Sequence, residues 1–267
     1  LLNTLTANVT TSFLWFAVTF WIYLETRSVL ATAILGGTYM LLIAFFSILF
    51  GTYVDHHKKK AVMVLSSVCT LVAFVFAVLV YVLFPKSEIL NIGGFGFWLF
   101  TGVILAGAVV ENMRNIALST TVTLLVPAAI RDKANGMVGA VQGVGFMVTS
   151  VFSGLAIGFL GMGWTLAISL ALTAIALAHL VLFVKIPEPE IFHDPELKGK
   201  KIALKGSIAA IRTVPGLGWL IAFTTLNNLV GGVFMALMDP YGLTLFPVQV
   251  WGIVLGITST GFIIGGS

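Results

Sequence analysis

Two charged side chains, Glu111 and Arg114, interrupt a long apolar stretch, and an acid beside a base can hold or move a proton. Residues three apart share a helical face, so the two can pair. At the centre of a bilayer each charge costs about 2.5 to 3.5 kcal/mol on insertion scales unless it is paired or hydrated. Two interpretations stay open: a structural ion pair, or a proton or substrate coupling site on a cavity wall.

Polar residues also recur at helical spacing inside two other apolar stretches, near the start of the chain and near its end. Such side chains lack partners if they face lipid, so they should point into a helix bundle. There they serve either helix–helix contacts or a solute pathway. The residues predicted to line a cavity are Asn8, Thr11, Ser12, Trp15, Asn115, Thr224, Asn228 and Met235.

Signals for catalysis or metal binding are missing from the sequence. No His or Cys pair has metal-ligand spacing, and no Gly-x-Ser-x-Gly motif occurs. The single cysteine, Cys69, cannot form an intramolecular disulfide. We therefore predict no catalytic residue, no metal, no cofactor and no enzymatic activity.

Composition places the chain in a membrane. Of its 267 residues 59% are hydrophobic and only 9% are charged, with a mean hydropathy of +1.09, whereas soluble domains carry about 25% charged residues. Apolar runs of membrane length predict an all-α polytopic protein. We place spans at residues 4–24, 29–50, 61–84, 95–125, 135–160, 164–184, 216–238 and from 250 onward.

The cations fix a predicted orientation. With residues 51–60 in the cytoplasm, eleven loop cations lie inside and only Arg27 and Lys86 lie outside, as the positive-inside rule requires. The N-terminus and the central loop are then cytoplasmic. The net charge of +4 follows this topology rather than a nucleic-acid partner. Glu25 is expected to form a solvated pair with Arg27 at the outer surface.

The stretch 51–60, GTYVDHHKKK, separates the second and third apolar runs and is predicted to be a tight cytoplasmic turn. It resembles the Gly-x-x-x-Asp-Arg-x-Gly-Arg-Lys signature of the major facilitator superfamily. Gly51, Asp55, Lys59 and Lys60 match this pattern, while His56 replaces Arg and Lys58 replaces Gly. The resemblance implies that the residues of this loop (Gly51, Asp55, His56, Lys59 and Lys60) act as a conformational switch.

The resemblance implies twelve spans in two six-helix bundles around a central cavity. On that plan residues 1–184 form the N-terminal bundle, 185–215 the cytoplasmic linker, and 216–267 the start of the second bundle, with the chain truncated within the eighth span. The linker agrees in composition, with four acids, six bases and four prolines. It is predicted to contain a short surface helix at about residues 201–212.

Glycines crowd the fifth span, where small residues allow helices to pack closely. Gly145, Gly154 and Gly158 also fit part of the fifth-span pattern of proton-coupled drug exporters, with Phe159 in place of its proline. The chain looks most like macrolide and multidrug efflux members of the superfamily. This likeness implies a monomer in the bacterial inner membrane that exchanges protons for small, partly hydrophobic compounds by alternating access. A metabolite or nutrient permease of the same fold is the alternative.

Overall fold

The computed structural model describes residues 2–127, 131–186 and 213–261, and within these ranges the chain is helical with no strand. This confirms the predicted all-α membrane class. In chain order the helices are α1 (Leu2–Thr26), α2 (Val29–His56), α3 (Lys59–Leu83), α4 (Lys86–Ile89), α5 (Phe95–Leu125), α6 (Arg131–Phe159), α7 (Gly161–Leu182), α8 (Leu217–Leu245) and α9 (Val248–Thr258).

Length and composition make most of these helices suitable for crossing a bilayer. Six of them, α2, α3, α5, α6, α7 and α8, are long and apolar enough to do so within the described residues. At 1.5 Å per residue, the 25 residues of α3 extend roughly 38 Å, which exceeds the hydrocarbon thickness of about 30 Å. A seventh long helix, α1, has 25 residues and carries the polar face noted above.

Helix α1 lies at the centre of the bundle, where it contacts α2, α5, α6, α7 and α8. Around it α3 packs along α5 and also against α7, while α9 packs against α6. The aromatic side chains of Phe20, Phe74, Phe97 and Phe100 are fully buried in the core that these helices share. Residues on α1, α3 and α5 can therefore meet inside the bundle.

The structure corrects the turn predicted over residues 51–60, because α2 continues to His56 and leaves only His57 and Lys58 between α2 and α3. Side chains at this end bond back to the preceding turn: Thr52 Oγ1 donates to the Ile48 carbonyl oxygen at 3.0 Å, and His56 Nδ1 lies 2.7 Å from the Thr52 carbonyl oxygen. Polar residues thus extend the helix beyond the apolar run.

The end of the bundle where α1 is followed by α2 also differs from the expectation. Glu25 pairs with Lys86 of the short helix α4 at 2.6 Å, so the predicted pairing with Arg27 is wrong. Arg27 instead occupies a left-handed backbone conformation, with a φ of 53°, between α1 and α2. This backbone turn reverses the chain direction between α1 and α2. The cation that pairs with Glu25 comes from α4 instead.

Other helix ends lie a few residues from their predicted positions. Helix α6 begins at Arg131 instead of 135, and α8 runs to Leu245 through Pro240 rather than ending at 238. A proline inside a membrane helix is tolerated because neighbouring groups can satisfy the carbonyl oxygen it frees. Most of the predicted linker, including its surface helix, lies outside the described residues.

Candidate functional site

The ion pair of α5 is the centre of the candidate site. Arg114 Nη1 donates to Glu111 Oε1 at 3.1 Å, and the two residues are only 4% and 5% exposed. Breaking a buried pair of this kind by removing one partner leaves an uncompensated charge, which costs about 3 to 5 kcal/mol. The structure therefore forms the pair that the spacing predicted and places it inside the bundle.

Hydroxyl groups of α3 hold the same part of α5. Thr70 Oγ1 lies 3.0 Å from the Gly107 carbonyl oxygen and 3.3 Å from Glu111 Oε2. Ser66 Oγ donates to the Val110 carbonyl oxygen at 2.8 Å. Both hydroxyls reach across the α3–α5 contact, so α3 positions the backbone and the carboxylate of Glu111 together.

A small pocket lies beside Glu111, between α1, α3, α5 and α7. Its free space is about 10 Å³, on the scale of one water molecule. Six of the seven residues that line it carry side-chain oxygen: Thr10, Thr11, Ser67, Thr70, Glu111 and Thr173, with Ala176 completing the wall. Three helices, α1, α3 and α7, thus place residues with side-chain oxygen around the carboxylate of α5.

The sequence did not single out Thr10, Ser67, Thr70 or Thr173 as site residues. Ser67 and Thr70 are three positions apart in the otherwise apolar helix α3, a spacing that could have shown a polar face. Thr173 stands in a similarly apolar helix, α7. The sequence alone does not show how the helices pack, and this packing places the two faces beside Glu111.

An aromatic pair belongs to the same region of the bundle. The rings of Trp15 on α1 and Tyr39 on α2 lie 4.5 Å apart between centroids, at 34°. Trp15 follows Thr11 by four residues, so the two share a face of α1, and Thr11 lines the pocket. The half-buried aromatic pair therefore lies one helical turn from the pocket wall.

The structure separates the residues predicted to line a cavity. Thr11 lies in the pocket wall, Trp15 packs on Tyr39, and Ser12 and Asn115 are half-buried. Thr224 and Asn228 are exposed on α8, away from the pocket. The side chains of Asn8 and Met235 lie outside the described part of the structure.

Two lysines of the segment 51–60 form hydrogen bonds with backbone carbonyl groups at the C-terminal ends of α2 and α7. Lys59 is buried, and its Nζ donates to the carbonyl oxygens of Val54 at 2.6 Å and His57 at 3.2 Å. Lys60 Nζ donates to the Val181 carbonyl oxygen at 3.2 Å, at the end of α7. Cations suit helix C-termini because they satisfy the last carbonyls and complement the helix dipole.

The remaining members of this segment lie on the last two turns of α2. Gly51 and His56 are half-buried, and Asp55 is exposed. Within the ranges that the structure describes, no hydrogen bond or ion pair involves Asp55. Its carboxylate is therefore available to a partner in another conformation or in another part of the protein.

Glycines of α6 form a close contact with α9. A Cβ added to Gly154 would lie 2.6 Å from the Val248 carbonyl oxygen, and one added to Gly158 would overlap the side chain of Gln249. Gly145 is buried, and its carbonyl oxygen accepts a hydrogen bond from Thr149 Oγ1 at 2.8 Å. The sequence missed the partner glycine, Gly252, although α9 carries the Gly-x-x-x-Gly spacing typical of close helix packing.

Long apolar helices that enclose a buried ion pair define a multi-pass membrane protein. The family model described as Major Facilitator Superfamily matches residues 1–267, and the chain belongs to that superfamily. It is therefore a membrane transporter that lies in a lipid bilayer and acts on a small-molecule substrate; members of the family are in general not enzymes. No curated protein and no solved structure matches the chain.

Proposed function

We propose that the protein is a proton-coupled exporter of small, partly hydrophobic compounds, which works by alternating access between two helix bundles. The observation that carries this proposal is the buried ion pair of Glu111 and Arg114, in which Glu111 also lines a small pocket between four helices. Ionisable residues inside membrane proteins are costly to keep, and they commonly mark proton or substrate pathways.

The hydroxyl of Thr70 gives Glu111 a way to accept a proton without losing its hydrogen bonds. Thr70 has one hydroxyl hydrogen and two acceptors within reach, the Gly107 carbonyl oxygen and Glu111 Oε2. When Glu111 is ionised, Thr70 can donate to the carboxylate. When Glu111 is protonated, its own hydrogen can go to Thr70 Oγ1 while Thr70 donates to Gly107, so both protonation states are satisfied.

Protonation of Glu111 would weaken its bond to Arg114, because a neutral carboxyl attracts a guanidinium less than a carboxylate does. Arg114 would then be left to interact with substrate or with another helix. A ligand or a proton shifts a conformational equilibrium only by its differential affinity for the two states. A change in the Glu111–Arg114 contact is such a difference, and in this proposal it links proton movement to alternating access.

The substrate class is proposed from the surroundings of the carboxylate. Trp15 and Tyr39 offer aromatic surface one helical turn from Thr11 of the pocket wall, which suits compounds that combine an apolar body with a polar or cationic group. The outward direction is supported by the glycine pattern of α6, which resembles that of exporters. We also propose a monomer with residues 1–184 as one bundle, 185–215 as linker and 216–267 in a second bundle.

The proposed orientation in the bacterial inner membrane places the N-terminus and the segment 51–60 in the cytoplasm. It is supported by the excess of cations in the loops on that side. Reporter fusions after Lys60 and Lys133 should then be cytoplasmic, and fusions at Lys86 should be external. A reporter after Lys60 that is active outside the cell would contradict the orientation.

The test of coupling is Glu111→Gln in the full-length protein, reconstituted in vesicles and supplied with a lipophilic fluorescent dye. We expect loss of dye accumulation driven by a proton gradient, while exchange of dye at equal concentrations is preserved. Glu25→Gln, in the exposed pair with Lys86, is the matched control and should leave both activities intact. If Glu111→Gln carries out uphill transport at the parent rate, Glu111 is not needed for coupling and serves only as the ion-pair partner of Arg114.

Transport direction and substrate class need a separate measurement. Cells that lack the protein should become more susceptible to lipophilic toxic compounds, and cells that overproduce it should become less so. Inward accumulation of a polar metabolite, with no change in susceptibility, would contradict export and favour a permease of the same fold.

A further inference from the structure

Helix α9 begins at the end of the bundle that lies opposite residues 51–60. Lys60 Nζ donates to the Val181 carbonyl oxygen at the end of α7, so residues 51–60 and the end of α7 lie together. Helix α6 ends at the opposite end, where α7 begins. At that end the side chain of Gln249, on the first turn of α9, lies against Gly158 of α6. We call this end of the bundle the α6–α9 end.

The burial of α8 is concentrated at the same end. The residues of α8 from Gly218 to Phe234 are exposed, whereas Asp239, Gly242 and Leu243 near its C-terminus are half-buried or buried. In the proposed arrangement α6 belongs to the first bundle, and α8 and α9 belong to the second. The two proposed bundles therefore touch at the α6–α9 end.

Trp251 of α9 is the large side chain at this contact. It is 7% exposed and belongs to the same buried apolar cluster as Phe20 of α1 and Ile157 of α6. Its ring lies against Gly242 of α8, where an added Cβ would overlap three ring atoms. Its Nε1 donates to Asp239 Oδ1 at 3.0 Å. A ring contact and a hydrogen bond thus fix the indole on α8, while its burial depends on the first bundle.

Asp239 is a carboxylate within α8, a helix long and apolar enough to cross a bilayer. A charged side chain at membrane depth is costly and commonly has a function. In the part of the chain that the structure describes, no salt bridge involves Asp239. The group that its carboxylate holds there is the indole N–H of Trp251.

We infer that Trp251 closes the transport pathway at the α6–α9 end, and that Asp239 is the positioning residue that holds Trp251 in the closed conformation. The inference rests on the proposed alternating access, in which the two bundles separate at one end at a time. Separation at this end would withdraw Trp251 from the cluster that contains Phe20 and Ile157. Its N–H could then bond to water, so the bond to Asp239 favours the closed conformation over the open one.

The test measures how fast a thiol at the α6–α9 end reacts with a polar maleimide. Ile157→Cys supplies the thiol, because Ile157 is 8% exposed and shares the cluster of Trp251. Cys69→Ser removes the native thiol, which is exposed. The purified full-length protein is labelled in lipid nanodiscs, with no substrate and no proton gradient. The rate then reports how often this end opens.

Asp239→Ala and Trp251→Phe should each raise the labelling rate about tenfold. This factor corresponds to about 1.4 kcal/mol, within the range for a buried polar group that has lost its partner. Asp239→Asn keeps an oxygen that can accept the indole hydrogen, so it should restore most of the parent rate. A residue needed only for its bulk or its charge would not give this pattern.

The matched controls lie on α8, away from the hydrogen bond. Thr244→Ala removes an exposed polar side chain whose hydroxyl donates to the Tyr241 carbonyl oxygen of its own helix. Trp219→Phe removes an indole N–H from a side chain that is 85% exposed. Both controls should label at the parent rate.

The positioning role is tested by combining the two substitutions. If Asp239 acts through Trp251, the double variant Asp239→Ala with Trp251→Phe labels no faster than Trp251→Phe alone. Full additivity overturns the positioning role, and so does an Asp239→Ala variant that labels like Thr244→Ala. Should Trp251→Phe fold poorly, Asp239→Ala is compared with Asp239→Asn, and equal rates for these two reject the inference.

The result is separate from the coupling test, because labelling needs neither substrate nor a proton gradient. Loss of uphill transport in Glu111→Gln with parent-like labelling of Asp239→Ala keeps the coupling role and rejects the role of Asp239 and Trp251. Faster labelling of Asp239→Ala with normal uphill transport in Glu111→Gln does the reverse.

Discussion

Gly154 of α6 and Gly252 of α9 face each other so closely that neither position has room for a side chain. A Cβ on Gly252 would lie 2.5 Å from the Ser150 carbonyl oxygen and 3.3 Å from the Cα of Gly154. Such close approach lets two helix backbones pack directly, which is a main source of helix association in membranes. The contact joins the fifth long helix to a helix that lies after residues 185–215 in sequence.

Gly154→Ala should therefore weaken the α6–α9 contact. The new methyl group meets backbone, which cannot move aside as a flexible side chain can, and overpacking of this kind costs about 1 to 3 kcal/mol. Gly139→Ala is the control on the same helix, because an added Cβ there has no atom within 4 Å. Thermal unfolding in detergent checks the prediction, and equal midpoints for the two variants would contradict it.

Arg114→Ala should destabilise the protein by about 3 to 5 kcal/mol, because it leaves the buried Glu111 carboxylate without its cation. Lys86→Ala breaks the exposed pair with Glu25, and a loss of about 0 to 1 kcal/mol is expected there. Size-exclusion profiles and unfolding midpoints measure both changes. Glu111→Gln combined with Arg114→Ala should recover part of the loss. A double variant no more stable than Arg114→Ala alone would contradict the ion pair's role.

Lys59→Met should lower stability by about 1 to 3 kcal/mol, because the carbonyl oxygens of Val54 and His57 would lose a buried, charged donor. Lys58→Met removes an equal charge from the exposed neighbouring position and should have little effect. The unfolding midpoints of the two variants make the comparison. A similar drop for both would show that net charge in this segment matters, rather than the cap on α2.

Asp55→Asn should leave folding unchanged and slow transport strongly. The side chain is exposed and has no hydrogen bond or ion pair within the described residues, so its charge adds little to this conformation. In the proposed switch it binds a partner in another conformation, and loss of the charge would shift the equilibrium between the two. Transport rate and unfolding midpoint are measured on the same preparation. If a correctly inserted Asp55→Asn variant transports at the parent rate, Asp55 does not take part in the proposed switch.

Much of the fold followed from the sequence because membrane helices are encoded locally. Each needs about 20 apolar residues, and its backbone hydrogen bonds lie within its own segment. The apolar runs therefore located α1, α3, α5 and α7 to within a few residues. The prediction was less accurate where polar side chains prolonged a helix, as Thr52 and His56 do at the end of α2.

The sequence by itself determined the membrane class, the helices and the pairing of Glu111 with Arg114, since residues three apart on a helix are neighbours in any tertiary arrangement. Only the tertiary structure decided that Thr70 lies beside Glu111, that Lys86 and not Arg27 pairs with Glu25, and that Gly154 packs on Gly252. The physical reason is that these contacts join residues on different helices. Which faces meet depends on how all the helices pack together, and no single segment specifies that.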